Sequence, residues 1–275
     1  MTLSGREAYR AELTRVGYDD ERVLCLETPV RGESHPFELA HPERFYALRT
    51  TEAAMVDMAA GLAIAGYRPF VSLTGPFQEE NLGLVLSYLS VGVTVVSPQR
   101  VCPANFKELR RVPGVTVAAP YGEAETRAVT RTAAASGRAH YIRVGCAEEV
   151  RSLDWIGSEL PLVNWDFRND RADVCLVSVG VRGTELALAA REAAPRIAHA
   201  HLVYLDNAHL ARAAAELTGL HRKIVVVGGR PDPDGLVDAL AELLPGSEVV
   251  GVPTLDRAPA EGIADVLSAV GRLGG

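Results

Sequence analysis

The sequence is poor in the features that mark several large protein classes. Its four cysteines, Cys25, Cys102, Cys146 and Cys175, are scattered, with no Cys-x-x-Cys pair. That spacing excludes a zinc ribbon and argues against a disulfide framework. Cys25 and Cys175 sit in apolar runs and read as small buried hydrophobes. Apolar stretches such as Ile224–Val227 are far too short to cross a bilayer, and Thr2–Arg15 is polar and charged, unlike a secretion signal. Positive charge is in deficit: 28 Lys and Arg stand against 35 Asp and Glu, a formal net charge of −7. The balance carries no footprint for nucleic acid or an anionic membrane. A cytoplasmic protein that binds neither is the expectation.

Common nucleotide and hydrolase signatures are missing as well: there is no G-x-x-x-x-G-K-[ST], no G-x-G-x-x-G after a strand and no G-x-S-x-G. Gly228-Gly229 follows an apolar run, but Pro231 and Pro233 come next and lack the N–H groups a phosphate nest needs. His199 and His201 form a lone H-x-H, short of a ligand set. No metal site is read from this chain.

What remains is ordinary globular material, 275 residues with 48% hydrophobic content, enough for two domains. Periodicity predicts helices over Arg6–Val16, Thr51–Gly66, Glu79–Leu89, Phe106–Arg111 and Glu123–Ala135. Strands alternate with them at Arg22–Leu26, Arg68–Leu73, Thr94–Ser97, Val115–Ala118 and His140–Val144. Glu27–Phe45, with Pro29, Pro36 and Pro42, reads as a loop. A second unit follows, with strands at Val174–Val179, Ala200–Tyr204, Lys223–Val227 and Glu248–Val252. Its helices are predicted at Gly183–Ala194, Ala208–Thr218, Leu236–Leu244 and Ala260–Arg272. Such alternation predicts α/β architecture, two doubly wound domains at 1–147 and 171–275. Residues 148–170, holding Trp155, Trp165 and Pro161, keep no period and read as a connector.

One segment stands out: Pro42-Glu43-Arg44-Phe45, then Thr51-Glu52-Ala53-Ala54-Met55, Ala59-Ala60-Gly61-Leu62-Ala63, Gly66 and Arg68-Pro69-Phe70-Val71. Glu52 opens an otherwise apolar, small-residue helix. On periodicity alone it serves the positive helix N-terminus. If the small residues let another surface pack closely, the carboxyl enters a dry contact and needs a partner or a proton.

The order of these residues resembles the pyrimidine-binding domain of the transketolase family and its 1-deoxyxylulose-5-phosphate synthase relatives. Leu109–Pro120 (LRRVPGVTVAAP) and Tyr141-Ile142-Arg143 extend the likeness. Asp173–Gly180, the Asp206 region, the Val225 strand and Gly235–Leu244 are similar to the family's C-terminal domain at pattern level. The resemblance implies a thiamine-diphosphate enzyme in which Glu52 is catalytic, hydrogen-bonding N1′ of the aminopyrimidine. A carboxyl sharing that proton favours the imino tautomer, whose nitrogen takes the C2 proton. It also implies that Phe77 stacks on the pyrimidine, that Thr74 stands where a second aromatic is usual, and that Met55 lines the cofactor.

The family's metal- and diphosphate-binding Gly-Asp-Gly is absent. The resemblance therefore implies the second half of a split enzyme, with Mg2+ or Ca2+ held mainly by a diphosphate-binding partner subunit in an α2β2 heterotetramer. The expected reaction is transfer of a two-carbon ketol unit from a ketose to an aldehyde, with small-molecule substrates that suit specialised metabolism. Decarboxylating acyloin formation, a 2-oxoacid dehydrogenase β-like role and a non-catalytic scaffold stay open. Where sugar-phosphate members carry Gly-Pro-Thr-His, this chain has Pro98-Gln99-Arg100-Val101-Cys102-Pro103-Ala104-Asn105. Cys146 stands at a phosphate-gripping arginine position, and Ala53-Ala54 replace a polar pair. Arg100 and Arg143 remain as groups to hold a substrate anion.

Overall fold

The computed structural model describes residues 3–28, 32, 34–73, 91–98, 106–110, 112–145, 152–153, 155, 157–228, 235–253 and 258–274. The chain divides into two compact units, Met1–Ser152 and Leu153–Gly275. Each is α/β.

Unit 1 opens with α1 (Gly5–Asp19), β1 (Val23–Glu27), α2 (Pro36–Ala40) and a 3-10 turn (Pro42–Arg44). It continues through β2 (Phe45–Ala47), α3 (Glu52–Ile64), β3 (Arg68–Ser72), β4 (Thr94–Pro98), α4 (Phe106–Leu109), β5 (Thr116–Ala118), α5 (Gly122–Ser136) and β6 (His140–Val144). The six strands among its described residues are parallel, in the order β2-β1-β3-β4-β6-β5. The ladders put Cys25, Glu27, Ser72, Val96 and Val144 on one face and Leu26, Val71, Ser97 and Arg143 on the other. Helices α1 and α5 pack together, and Tyr9 of α1 meets Ser72 at 3.0 Å, which assigns them to the first face. Connections from β2 to β3 and from β5 to β6 run in opposite directions along the sheet, so right-handed crossovers put α3 on the second face.

Local chemistry explains the helix ends. Ser4 and Glu7 form a capping box on α1, and Thr51 Oγ1 accepts the Ala54 N–H at 3.3 Å to start α3. Helix α5 stops at Gly137, whose φ of 61° is left-handed. Between α1 and α5, the buried Glu12 carboxylate accepts from Arg15, Arg127 and Arg131 at 2.8, 3.0 and 3.1 Å. These guanidiniums together outweigh the opposing effect of burial and lower the Glu12 pKa.

Unit 2 contains β7 (Val163–Phe167), β8 (Val174–Ser178), α6 (Gly180–Ala193), β9 (Ala198–Leu202), α7 (Asn207–Leu217), β10 (Lys223–Val227), α8 (Leu236–Leu243), β11 (Glu248–Val252) and α9 (Pro259–Gly274). The order is β11-β10-β8-β9-β7, parallel except for antiparallel β7 against β9. Its core joins Leu176, Leu186, Val225, Val227 and Val266. Helix α6 presses on the sheet so closely that a Cβ on Gly183 would lie 2.2 Å from the Val227 carbonyl oxygen. A side chain cannot fit there.

Besides shifts of one to three residues at element ends, such as β9 at Ala198–Leu202 rather than Ala200–Tyr204, the structure differs from the sequence reading at three places. The loop read over Glu27–Phe45 contains α2 and the 3-10 turn, and its last residue opens the short strand β2. Helix α6 begins at Gly180 rather than Gly183, because Gly180 takes a left-handed φ of 64° and turns the chain straight out of β8. The stretch read as a connector holds β7, where Asn164, Trp165 and Asp166 disguise an edge strand. The helix read over Glu79–Leu89 lies outside the described residues.

Candidate cofactor and substrate site

In unit 1 the chain steps from β1 outward to β2, then returns past β1 to lay down β3. Strand order therefore reverses between β1 and β3, and α/β sheets bind ligands in the crevice at the carboxyl ends beside such a reversal. Glu27 ends β1, Ser72 ends β3, Pro98 ends β4 and Val144 ends β6. These residues, with Arg6 and Arg10 of α1, line a small crevice of about 20 Å3 on the α1 face of the sheet, opposite the face that carries α3.

Glu52 is the first residue of α3 and is half-buried. Because α3 leads into β3, its N-terminus lies at the same carboxyl edge. Three residues on, Met55 is fully buried, and Thr28, just past the end of β1, donates its hydroxyl to Met55 Sδ at 3.8 Å. That weak contact ties the first turn of α3 to the tip of β1. Glu52 thus sits at a fixed helix start, three residues from the buried Met55, without being sealed inside the unit. A half-exposed carboxyl can share a proton with one nitrogen of a heterocycle.

Arg143 lies in β6, 8% exposed, on the α3 face of the sheet. Phe77, Thr74 and Arg100 lie outside the described residues, as do Cys102 and Cys146. The structure brings Glu52, Met55 and Arg143 to one face and one edge of the sheet.

Sequence reasoning missed the ion-pair cluster at the tip of β1. Glu27, buried, meets Arg6 Nη2 at 3.2 Å, His35 Nε2 at 3.1 Å and, at closer range, Arg10. Burial alone would raise its pKa, but His35 and Arg10 outweigh it and hold the carboxyl at about 2. Cys25, Glu27 and His35 place donor atoms within 4.8 Å of one another. Those donors are already committed. His35 Nδ1 accepts the Phe37 N–H at 3.1 Å, capping α2, burial keeps the Cys25 thiol protonated, and two guanidiniums repel a cation. The cluster is an anchor for α1 and α2. Its partners are scattered from Arg6 to His35, and no local motif announces them.

In unit 2, Ser178 Oγ lies 2.8 Å from His199 Nε2, His199 Nδ1 lies 3.3 Å from Asp166 Oδ2, and Arg191 Nε reaches Asp166 at 2.5 Å. Thr184 Oγ1 stands 3.1 Å from Ser178 Oγ and 2.7 Å from the Gly180 carbonyl. Despite its serine–histidine–aspartate order, the Ser178 and His199 side chains are fully buried, so the chain of contacts pins α6 and β7 to the sheet. Cys25 and Cys175 are free and buried. Among the described residues no helix is long and apolar enough to cross a membrane.

No protein-family model matches the sequence. A 1-deoxy-D-xylulose-5-phosphate synthase of Desulforudis audaxviator is 26% identical over 259 residues, covering 82% of this chain and 40% of that protein. The 6-deoxy-6-sulfo-D-fructose transketolase subunit SqwH of Clostridium sp. (strain MSTE9) is 26% identical over 206 residues, covering 69% of this chain and 64% of that one. The chain thus spans less than two thirds of these relatives. Among solved structures, a split-gene transketolase described as an inactive beta4 tetramer superposes with a TM-score of 0.80 at 22% identity, covering 99% of this chain and 98% of that chain. The transketolase of Leishmania mexicana gives 0.76 at 16% identity, covering 99% of this chain but 45% of its own. The chain has the α/β fold of the C-terminal half of a transketolase, its two units matching the folds of that half's two domains.

Proposed function

We propose that this chain is the pyrimidine-binding subunit of a two-component, thiamine-diphosphate-dependent transketolase-like enzyme. It transfers a two-carbon ketol unit from a ketose donor to an aldehyde acceptor and works only with a diphosphate-binding partner subunit, in an α2β2 assembly. The observation that carries the reading is the position of Glu52, a half-buried carboxyl opening an apolar helix at the carboxyl edge of the sheet.

When bound, thiamine diphosphate supplies the nucleophilic carbon and the electron sink that carbon–carbon cleavage needs. Glu52 holds a proton between its carboxyl and a ring nitrogen of the pyrimidine. Closure by a second subunit excludes water there and keeps the carboxyl protonated. Phe77, Thr74 and Met55 complete the pyrimidine pocket, while Arg100 and Arg143 hold an anionic end of the substrate. Mg2+ or Ca2+ and the diphosphate belong to the partner, since this chain has no Gly-Asp-Gly.

Two observations support dependence on a partner. Ile64, the last residue of α3, and Tyr67, just beyond it, are 74% and 45% exposed, and Gly61 stands in the last turn of the helix with no heavy atom within 4 Å of where a Cβ would lie. An exposed glycine there weakens the helix without serving any contact of this unit, which suits close approach by the partner's backbone. The substrate carries a sulfonate or another reduced-charge group rather than a normal sugar phosphate. Cys146 at the arginine position and the sulfosugar transketolase subunit among the relatives both favour this.

A second reading, decarboxylating condensation of a 2-oxoacid with an aldehyde, is favoured by the 1-deoxy-D-xylulose-5-phosphate synthases among the relatives. Co-expression with a Gly-Asp-Gly subunit and donor screening separate the two. Ketose turnover supports the transferase, and carbon dioxide release from pyruvate without ketose turnover supports the synthase. Tight binding of thiamine diphosphate by this chain alone, measured by calorimetry, contradicts the two-component reading.

A further inference from the structure

Strand β11 is an outer edge of the unit 2 sheet and pairs, among the described residues, only with β10. The Glu248 N–H donates to the Arg222 carbonyl at 2.7 Å, and the Gly228 N–H to the Val252 carbonyl at 3.5 Å. In a parallel ladder that phase turns the backbone groups of Glu248, Val250 and Val252 toward β10. The N–H and C=O groups of Val249 and Gly251 therefore face outward. Folded chains blunt such an edge with lysine, proline, a bulge or shortness. The opposite edge of this sheet, β7, carries Asp166 and a register shift after Trp165, and β2 of unit 1 has only three residues. Strand β11 uses none of these devices. It reads Glu-Val-Val-Gly-Val, with its one charge at the first residue, and follows β10 in unbroken register.

The surface beside that edge is apolar. Val250 and Val252 lie on the α9 face of the sheet, Val250 only partly buried. Helix α9 packs against α6, β10 and β11. Its Gly262 approaches Leu186 of α6, and Val266, Ala269 and Leu273 enter the core along the same seam. Ile263, Leu267 and Val270 recur at i, i+4 and i+7, roughly 100° further round the helix and away from α6. All three stay partly buried, on the side of the open edge. An occupant has to be extended, apolar and in phase with Val249 and Gly251, and a second β11 meets each demand. About a two-fold axis at Val250, Val249 of each copy lies opposite Gly251 of the other, and each such pair exchanges both N–H···O=C bonds. The glycine leaves room for the branched valine, the two Glu248 carboxylates stand at opposite ends of the seam, and the two α9 stripes meet on one face. We infer that the outer edge of β11, with the Ile263–Leu267–Val270 stripe of α9, is a self-association surface on which a second copy of this chain docks. The inference concerns unit 2 alone and does not rest on the thiamine-diphosphate reading.

Sedimentation of the full chain without any other subunit, over a range of concentrations, tests it. The wild type is expected to self-associate reversibly, and Gly251→Pro to weaken that association about tenfold or more. Proline at 251 removes an outward N–H and leaves the β10 ladder whole, so tryptophan emission from unit 2 should match the wild type. Val250→Cys is expected to cross-link to its own copy under mild oxidation beyond the wild-type background. Paired Cα atoms about 4.5 Å apart suit a disulfide, whereas Val249→Cys, offset from its mate along the strands, should not cross-link. Should the proline variant lose wild-type emission, the two cysteine variants decide. A wild-type chain that stays monomeric overturns the inference. So does a Gly251→Pro chain of wild-type emission that associates as the wild type does, or cross-linking at 249 without cross-linking at 250. Loss of a Gly-Asp-Gly subunit from Gly251→Pro with self-association intact assigns the edge to that subunit and likewise overturns it.

Discussion

His35 Nε2 lies 3.1 Å from Glu27 Oε2, joining the N-cap of α2 to the tip of β1 inside a buried cluster. Neither atom has another hydrogen-bonding partner, so charge and proximity hold the contact. Arg6 and Arg10 approach the other carboxylate oxygen from α1.

The Glu27 carboxyl is held at about 2 in the folded chain, below the roughly 4.3 of an unfolded glutamate. A depressed folded pKa means stability that is fully present above the unfolded value and lost as pH falls through the folded one. Unit 1 is therefore expected to lose stability between about pH 4.5 and pH 2, by at most about 3 kcal/mol from this group. Calorimetry across that range checks it. Glu27→Gln should unfold more easily at pH 7 and show a flatter acid limb. An unchanged acid limb in the variant would show that other carboxylates set it.

Both tryptophans, Trp155 and Trp165, lie in unit 2, so fluorescence reports that unit selectively. Gly183→Ala forces a Cβ to within 2.2 Å of the Val227 carbonyl oxygen and is expected to cost more than about 3 kcal/mol. Gly271 in α9 faces open space, and Gly271→Ala should stabilise by about 0.5–1 kcal/mol. Urea titrations read by tryptophan emission distinguish the two. Equal effects would mean that α6 does not press on the sheet as described.

The contact chain Thr184–Ser178–His199–Asp166–Arg191 closes α6, β8, β9 and β7 into one ring. Burial pushes the His199 pKa down while Asp166 opposes it. His199→Ala leaves Ser178 and Asp166 short of a partner and should destabilise unit 2 by about 2–4 kcal/mol. The same urea titration measures it, and a loss under about 0.5 kcal/mol would show the ring to be incidental.

Much of this architecture is legible in the sequence because periodic apolar faces dominate it: His140–Val144, Lys223–Val227 and Glu248–Val252 are strands over the very residues the pattern marks. Strand β2 escapes notice because three residues after Pro42 give no alternation. Strand β7 does so because an antiparallel edge tolerates Asp166 and a bulge near Trp165. The position of Glu52 is readable from residue order, since helix and strand follow it directly. Glu27 is not, because Arg6, Arg10 and His35 meet it only after α1 and α2 fold back over β1.

The central claim is that Glu52 drives cofactor activation across the subunit boundary, and steady-state turnover of the assembled complex tests it most directly. Glu52→Gln and Glu52→Ala should lower kcat at least a hundredfold while the complex still assembles at wild-type stoichiometry. Turnover within about threefold of wild type in a correctly assembled Glu52→Ala complex would contradict the account.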